Sequence, residues 1–382
     1  MERFGASSLP TEAEEIWRYS RISQLDLDAF VPNTPGRDVP ASAQPVLDAI
    51  GARSALLVGG HPVGPVADGL VLGAPRDVGA VAGEPDALVT LNAARADVLK
   101  MTVGKGRVLA DPIVLITPVD GDGASFFPRT IINVEPGGDA TIVEVLASPD
   151  VAALVIPVTE IDIADGGRLK YVTVQVLGPR VWQVATQASR LGRDADFTSY
   201  NVALGGEYAR VRSESRLAGA GGTSRLLALY FGDGRQMHDF ATVQFHEGKH
   251  TTSDLLFKGA VANQAHSVYR GVIRVEKGAM GTNAFQTNRN LVLDEGAHAD
   301  SVPTLEIEEN DVRCSHASAV GPIDEEQRFY LESRGVPPEV ADRLIVSGFL
   351  DDVLERIPTP SLIPWLRSVL GQRLAAAEAA RP

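Results

Sequence analysis

The sequence predicts a mainly β protein with a solenoid core of short strands, an N-terminal mixed helical region and a C-terminal helical domain. From about residue 103 to residue 321 the chain is a succession of short runs rich in β-branched residues, with no helical period between them. A turn motif that contains glycine recurs between these runs. Apolar residues at helical spacing lie outside this stretch. We therefore expect three regions, with boundaries near 1–100, 101–321 and 322–382.

The N-terminal region has mixed signals. Residues 10–30 place three acidic side chains ahead of apolar ones, which predicts a short helix with carboxylates at its positive end. Proline, serine and glycine are frequent near 31–45, and this composition predicts a linker. A short strand at 54–58 and a helix at 88–99 complete the region.

The predicted core depends on strand runs and on the turns that separate them. The clearest runs are residues 113–117, 141–146, 169–176, 225–231, 268–275 and 290–293. A solenoid corner needs residues with positive φ, a conformation that glycine adopts without strain. The corner candidates are the glycine-containing segments 134–138, 163–167, 204–207, 275–279 and 293–297. Their spacing is irregular, so an antiparallel sandwich remains an alternative at this point.

Three helices are expected after the core. Asp324 and the acidic residues behind it open the first, which carries Phe329 and Tyr330. Pro337 and Pro338 begin the second, whose predicted apolar stripe is Val340, Leu344, Ile345, Phe349 and Val353. The third contains Leu362, Leu366, Val369, Leu370 and Leu374. Three short helices bury little core by themselves, so we expect them to pack on the solenoid or on another protein.

Charge and length exclude several functional classes. The chain has 382 residues and a formal charge of -14, which opposes binding to nucleic acid or to anionic lipid. No apolar run approaches the roughly 20 residues of a membrane span, and residues 1–10 lack a signal pattern, so we expect a cytoplasmic protein. No phosphate-binding loop is present, and the chain is expected to bind no nucleotide.

The segment from Asp311 to His316 carries the most chemistry. On a strand, Cys314 and His316 lie two positions apart and share a face, and both side chains are competent ligands for iron or zinc. The alternative is that neither residue binds a metal. A lone cysteine usually packs as a small apolar residue, and an isolated histidine usually makes a structural hydrogen bond. Cys314 is the only cysteine, so this chain alone cannot supply the usual four ligands of an iron-sulfur cluster.

Longer stretches around this segment resemble the SufB/SufD family of iron-sulfur cluster assembly proteins. The resemblance is most specific at 303–307, 311–317, 320–321 and 324–335, and it extends to 287–293 and 15–19. The Cys-Ser-His run followed by Val320 and Gly321, together with the single cysteine, is similar to the SufD branch. SufB chains usually have several cysteines and a Glu-His-Glu-Ala type segment at this place.

The resemblance implies a right-handed parallel β-helix between helical ends, in a scaffold subunit without enzymatic activity. It further implies a heterodimer with a SufB-like chain through the β-helix core, and docking of a SufC-like ATPase on the C-terminal helices. His316, with Cys314 beside it, is then expected to hold a transient iron-sulfur cluster shared with the SufB-like chain. ATP-driven movement is expected to expose a buried region around His316. The residues expected to contact the ATPase are Phe329, Tyr330, Leu344, Ile345, Phe349 and Val353.

Two other functions remain open from the sequence. A β-helix also suits a carbohydrate-active enzyme, although only 6% of residues are aromatic and available to stack on sugars. The chain could instead be a SufB-like scaffold that forms a homodimer, and a homodimer of the isolated chain is compatible with either scaffold.

Overall fold

A computed structural model describes most of the chain. The described residues are 9–380 except 35, 37, 52–53, 58–60, 63–64 and 74–84. Positions 1–8 of the N-terminus, two positions of the predicted linker and Val58 of the predicted strand therefore lie outside them.

The N-terminal region consists of short elements. In chain order these are 3₁₀ turns at Glu15–Trp17, Ile22–Gln24 and Leu27–Ala29, β1 (Val31–Pro32), a 3₁₀ turn at Ala41–Ala43, α1 (Gln44–Ile50), β2 (Ser54–Leu57), β3 (His61–Pro62), β4 (Leu70–Gly73) and α2 (Ala87–Arg95). The short helical segment predicted within 10–30 is present as three 3₁₀ turns and not as an α-helix. Glu14 makes no capping hydrogen bond, and Tyr19 has a φ of 68°, a left-handed conformation that interrupts a helix.

The helix predicted over 88–99 is correct only in its first part. Asp86 caps it by accepting hydrogen bonds from the Leu88 and Val89 amides at 3.0 and 2.9 Å. The helix ends at Arg95, and residues 97–103 form the next strand, whose side chains alternate in burial. This strand pairs in parallel with residues 128–134, and residues 31–32 and 54–57 also pair in parallel with solenoid strands, so the parallel pairing includes segments well before the expected boundary at residue 101.

The core is a parallel β-solenoid. Its strands are β5 (Asp97–Val103), β6 (Ile113–Pro118), β7 (Ala124–Phe126), β8 (Pro128–Val134), β9 (Asp139–Ala147), β10 (Ala153–Val155), β11 (Val158–Ile163), β12 (Arg168–Val176), β13 (Val181–Leu191), β14 (Asp196–Ala203), β15 (Tyr208–Leu217), β16 (Thr223–Gly232), β17 (Met237–His246), β18 (Thr252–Val261), β19 (His266–Val275), β20 (Thr282–Val292), β21 (His298–Ile307) and β22 (Val312–Gly321). All six predicted runs lie in strands, although 290–293 overlaps only the end of β20.

The strands form two sheets. Sheet A follows the order β21-β19-β17-β15-β13-β11-β8-β5-β4, with β1, β7 and β10 paired beside this path, and sheet B follows β22-β20-β18-β16-β14-β12-β9-β6-β2-β3. From β11 to β22 successive strands alternate between the two sheets, and the strands from β5 to β22 pair with one another in parallel, which excludes the antiparallel sandwich. Met237 pairs with His266, 29 residues away, and His266 pairs with His298, 32 residues away, so coils of unequal length explain the irregular turn spacing.

Glycine is required at most of the predicted corners. Gly137, Gly166, Gly206 and Gly278 have φ values of 69°, 67°, 82° and 94°, so four of the five predicted corner segments contain a glycine with positive φ. Gly296 does not have a positive φ. A Cβ there would lie 2.6 Å from the Asn263 carbonyl oxygen, so close approach of two coils accounts for this glycine instead.

Of the three C-terminal helices, the last two share an apolar core with the outer face of sheet B, and the first packs on the second. They are α3 (Glu325–Ser333), α4 (Pro338–Leu354) and α5 (Ile363–Ala379), with a 3₁₀ turn at Pro360–Leu362 before α5. The predicted helix starts are confirmed, and Asp324 caps α3 by accepting hydrogen bonds from two backbone amides. Helix α4 packs on β16 and β18. The Tyr200 hydroxyl in β14 donates to the Val353 carbonyl at 2.8 Å and fixes α4 on the sheet. No helix among the described residues is both long and apolar enough to span a bilayer.

Two buried histidines are expected to make the free energy of unfolding depend on pH. Burial lowers the pKa of His238 and of His246 from 6.5 to about 4. Both imidazoles are therefore neutral in the folded state at pH 7, and below pH 6.5 the unfolded chain binds more protons than the folded chain. The contribution of each histidine to the free energy of unfolding is therefore fully present above pH 6.5, its pKa in the unfolded chain. This contribution is lost as the pH falls toward 4.

We expect the free energy of unfolding to fall by about 2 kcal/mol per histidine between neutral pH and pH 5. Urea denaturation at a series of pH values measures this slope. His246 contacts the Thr251 and Ser253 hydroxyls at 2.8 and 2.9 Å, and a glutamine can keep a polar group there without titrating. The variant His246→Gln should lose about half of the slope. An equally steep slope in that variant contradicts the assignment.

Candidate functional site

The end of the solenoid forms an open surface. Among the described residues, β21 is the last strand of sheet A and β22 the last strand of sheet B, so each leaves one edge without a neighbouring strand. Most side chains of β22 are exposed, whereas those of the preceding β20 alternate between buried and partly exposed. We call β21 and β22 together the terminal coil. Its free edges offer backbone groups to a further strand.

Cys314 and His316 lie together on the terminal coil, as the strand pattern predicts. In the register of sheet B, Cys314 pairs with Ala284 and His316 with Gln286. Ala284 and Gln286 are 0% and 2% exposed and face the solenoid interior. The cysteine and the histidine therefore extend the interior face of sheet B, at the place where the interior opens to solvent.

The two side chains have different surroundings. Cys314 is half-buried and packs against an apolar cluster that includes Ile273 and Ala279. Burial raises the pKa of its thiol, which disfavours the thiolate that binds metals. His316 is exposed, so the buried region expected around it is not present in the single chain. His316 is uncovered because β22 is an edge strand, and no described strand follows it in sheet B.

The donors at this place fill only part of a cluster site. Cys314 supplies one sulfur and His316 one nitrogen, and the chain has no second cysteine. Ser318, two positions further along the same face, donates its hydroxyl to Ser301 of β21 at 2.7 Å. A tetrahedral metal or an iron-sulfur cluster therefore needs additional ligands from outside this chain.

A second surface lies on the C-terminal helices. Phe329, Tyr330, Val340 and Leu344 are 73%, 58%, 39% and 52% exposed. They belong to α3 and the first half of α4, and we call these four residues the α3/α4 surface. The Arg328 side chain joins the two helices through a two-fold contact with Asp342 at 2.6 and 2.8 Å. The four apolar side chains are thus held on a fixed helical pair.

The apolar stripe predicted on α4 is divided by the structure. Val353 is fully buried among residues of sheet B and the other helices, and it is not accessible to another protein. Ile345 and Phe349 are partly buried and pack against the same core, with the Lys258 ammonium 4.7 Å from the centre of the Phe349 ring. The predicted stripe therefore included residues from two faces of α4. Val353 belongs to the buried face, together with Val346, Leu350 and Leu354.

One group of polar residues was not selected from the sequence. The register of sheet A places His298 directly beside His266, and Asp300 lies two residues further along the same strand. The two histidines become neighbours because this coil of the solenoid is 32 residues long. The coil length follows only from the pairing of the strands, so the sequence alone did not reveal it.

Comparisons with known proteins identify the family of this chain. The family model described as "SUF system FeS cluster assembly, SufBD core domain" matches residues 117–349. An iron-sulfur cluster assembly SufBD family protein of Mycobacterium tuberculosis is 31% identical over 98% of this chain and 91% of its own length. Iron-sulfur cluster assembly protein SufD of Escherichia coli is 27% identical over 96% and 90% of the two chains. SufD of Bacillus subtilis is 29% identical over 71% and 63%.

Proposed function

Because this chain belongs to the SufBD family of iron-sulfur cluster assembly proteins, we propose that it acts in the cytoplasm as a non-enzymatic SufD-type scaffold subunit. In this proposal it shares a transient cluster with a SufB-like chain and docks a SufC-like ATPase. The observation that carries the proposal is the incomplete donor set on the terminal coil. One imidazole and one thiol lie at an open end, where a second protein can add the remaining ligands.

The free edges of the terminal coil support pairing with a second solenoid. Parallel strands in register bring side chains of adjacent coils to about 5 Å from one another. A SufB-like strand added beside β22 places its own side chains next to Cys314 and His316. The same addition covers His316, which is exposed in the single chain, and excludes water from a labile cluster.

His316 is the stronger ligand of the pair. Its side chain is free of protein packing and can bind iron through a neutral imidazole nitrogen. Cys314 must first lose a proton and leave its apolar contacts, and its raised pKa opposes the first of these changes. Cys314 therefore contributes to packing in the single chain, and as a ligand only when a nearby cation stabilises the thiolate.

The α3/α4 surface supports docking of the ATPase. Four exposed apolar side chains are carried by two helices that contact each other, and exposed apolar side chains of this kind are typical of protein contacts. Helix α4 also packs on β16 and β18, so a force applied to α3 and α4 is transmitted to sheet B. Movement driven by ATP in the partner can thereby change the coil that carries His316.

Co-expression with a SufB-like and a SufC-like chain tests the proposal. We expect this chain to purify in one complex with both partners, with a molar mass by light scattering equal to the sum of the subunits. Recovery of this chain only as a monomer or homodimer, in the presence of folded partners, contradicts it. Turnover of polyuronates by the isolated chain contradicts the non-enzymatic role and favours the carbohydrate-active alternative.

A further inference from the structure

A second group of metal-binding side chains lies on the outer face of sheet A. One donor atom from each of His266, His298 and Asp300 lies within 4.8 Å of the others. The Asp300 carboxylate is placed between the two imidazoles. Its Oδ2 atom is 2.8 Å from His266 Nε2, and its Oδ1 atom is 3.3 Å from His298 Nε2. The imidazole rings are 5.1 Å apart between centres.

The backbone holds this group in place. His266 is the first residue of β19 and His298 the first of β21, and they are register partners. The His266 amide donates to the Gln236 carbonyl at 2.9 Å, and the His298 amide donates to the Ala265 carbonyl at 3.0 Å. Both ligands therefore begin strands that are already tied to the preceding coil, and their positions are fixed before any ion binds.

The spacing suits a small divalent ion. A metal that binds nitrogen and oxygen at 2.0 to 2.2 Å needs its ligand atoms roughly 3 Å apart. The two imidazole-to-carboxylate distances, 2.8 and 3.3 Å, are already in this range. The pair of imidazoles needs only a rotation about side-chain bonds to approach the same point. His298 is 68% exposed, so water or another ligand can occupy the remaining coordination positions.

From this geometry we propose that His266, His298 and Asp300 form a binding site for one divalent first-row transition-metal ion. Two imidazoles and one carboxylate are a donor set that suits Zn²⁺ and Fe²⁺, whereas Mg²⁺ and Ca²⁺ prefer oxygen ligands alone. The ion replaces the direct contacts between Asp300 and the two histidines, and each imidazole binds through its unprotonated nitrogen.

This site is separate from the proposed cluster site. His266 alternates with the buried Ser267 along β19, so its side chain lies on the outer face of sheet A. Cys314 and His316 continue the interior face of sheet B. The metal site therefore does not depend on the proposed scaffold function, and each can fail without the other.

The test uses the purified full chain without an affinity tag, in a background in which Cys314→Ser and His316→Ala remove the other donor pair. Zn²⁺ binding is measured by calorimetry, and Co²⁺ binding by its visible absorption. We expect one ion per chain in this background. His298→Gln and Asp300→Asn are each expected to weaken binding at least about tenfold, since even residues that only orient a metal ligand commonly have effects of this size.

A thermal melt of each variant without metal shows whether the fold is intact. With Zn²⁺ present, the parent chain should melt at a higher temperature than without it, and the Asp300→Asn variant should show no such increase. His250→Asn serves as a matched control, because His250 is exposed, has a φ of 56° that asparagine tolerates, and is not part of the group. Absence of saturable binding, or equal affinity in the parent and in both ligand variants, overturns the proposal. In that case the histidines and Asp300 form only a hydrogen-bonded group.

Discussion

Replacing His316 with alanine is expected to remove most of the iron-sulfur cluster that can be reconstituted on the complex with SufB-like and SufC-like chains. The amount of cluster per complex should fall at least about tenfold, because the substitution removes a ligand of the cluster and no neighbouring donor replaces it. His316 is exposed and makes no packing contact that the fold requires, so the complex itself should still assemble. The visible absorption band of the cluster and the iron and sulfide content per complex measure the effect.

Two further variants give this experiment its controls. Ser315→Ala changes the neighbouring exposed residue, whose side chain points to the opposite face of β22, and it should leave the cluster yield unchanged. Cys314→Ser keeps the size of a residue packed beside Ile273, and it separates the ligand role of the sulfur from its packing role. A full cluster yield in the His316→Ala variant is incompatible with the ligand role.

Introducing a charge on the α3/α4 surface is expected to abolish retention of the ATPase. The double variant Phe329→Asp and Leu344→Asp places two carboxylates at side chains that are 73% and 52% exposed. Removal of two central apolar contacts typically costs more than 2 kcal/mol of binding, which weakens the affinity by about thirtyfold or more. Co-purification with the SufC-like chain measures the effect, and a thermal melt verifies that the solenoid remains folded.

The structure also provides controls for the docking experiment. Ser368→Asp adds a charge at an exposed position of α5, on a helix that is not part of the α3/α4 surface, and the ATPase should be retained. Phe349→Ala should instead lower the free energy of unfolding by about 1 to 3 kcal/mol, because its ring packs against the core and the Lys258 ammonium. If the double variant keeps the ATPase, or Ser368→Asp loses it, docking occurs elsewhere.

Local signals in the sequence account for much of the fold. Runs of β-branched residues identified strands because such side chains favour extended backbone, and four of the five proposed corner segments contain a glycine with the positive φ that the turns require. Asp324 and Pro338 marked helix starts through capping and through a fixed φ. The first eight residues of β20 were not predicted. Its inward positions include Gln286, Asn288 and Asn290, which satisfy one another and nearby tyrosines by hydrogen bonds, so the usual apolar alternation is absent.

The site was predictable to a lesser extent. The spacing of Cys314 and His316 was sufficient to place them on one face, because strand periodicity is local. The extended apolar stripe on α4 was wrong in part, since the helix period alone does not say which face meets sheet B. Val353 was assigned to the partner surface for this reason, although it lies in the core.

The sequence by itself determined the strand-rich core, the glycine corners, the helix starts and the single thiol, because each depends on conformational preference or on composition. The tertiary structure alone decided which coils are neighbours. Parallel pairing over about 30 residues brings His266 beside His298 and leaves β22 as an edge strand, and no local preference records either result. Contacts between coils depend on the summed length of every intervening turn, and for that reason the outer-face histidine group and the open end of the solenoid became visible only in three dimensions.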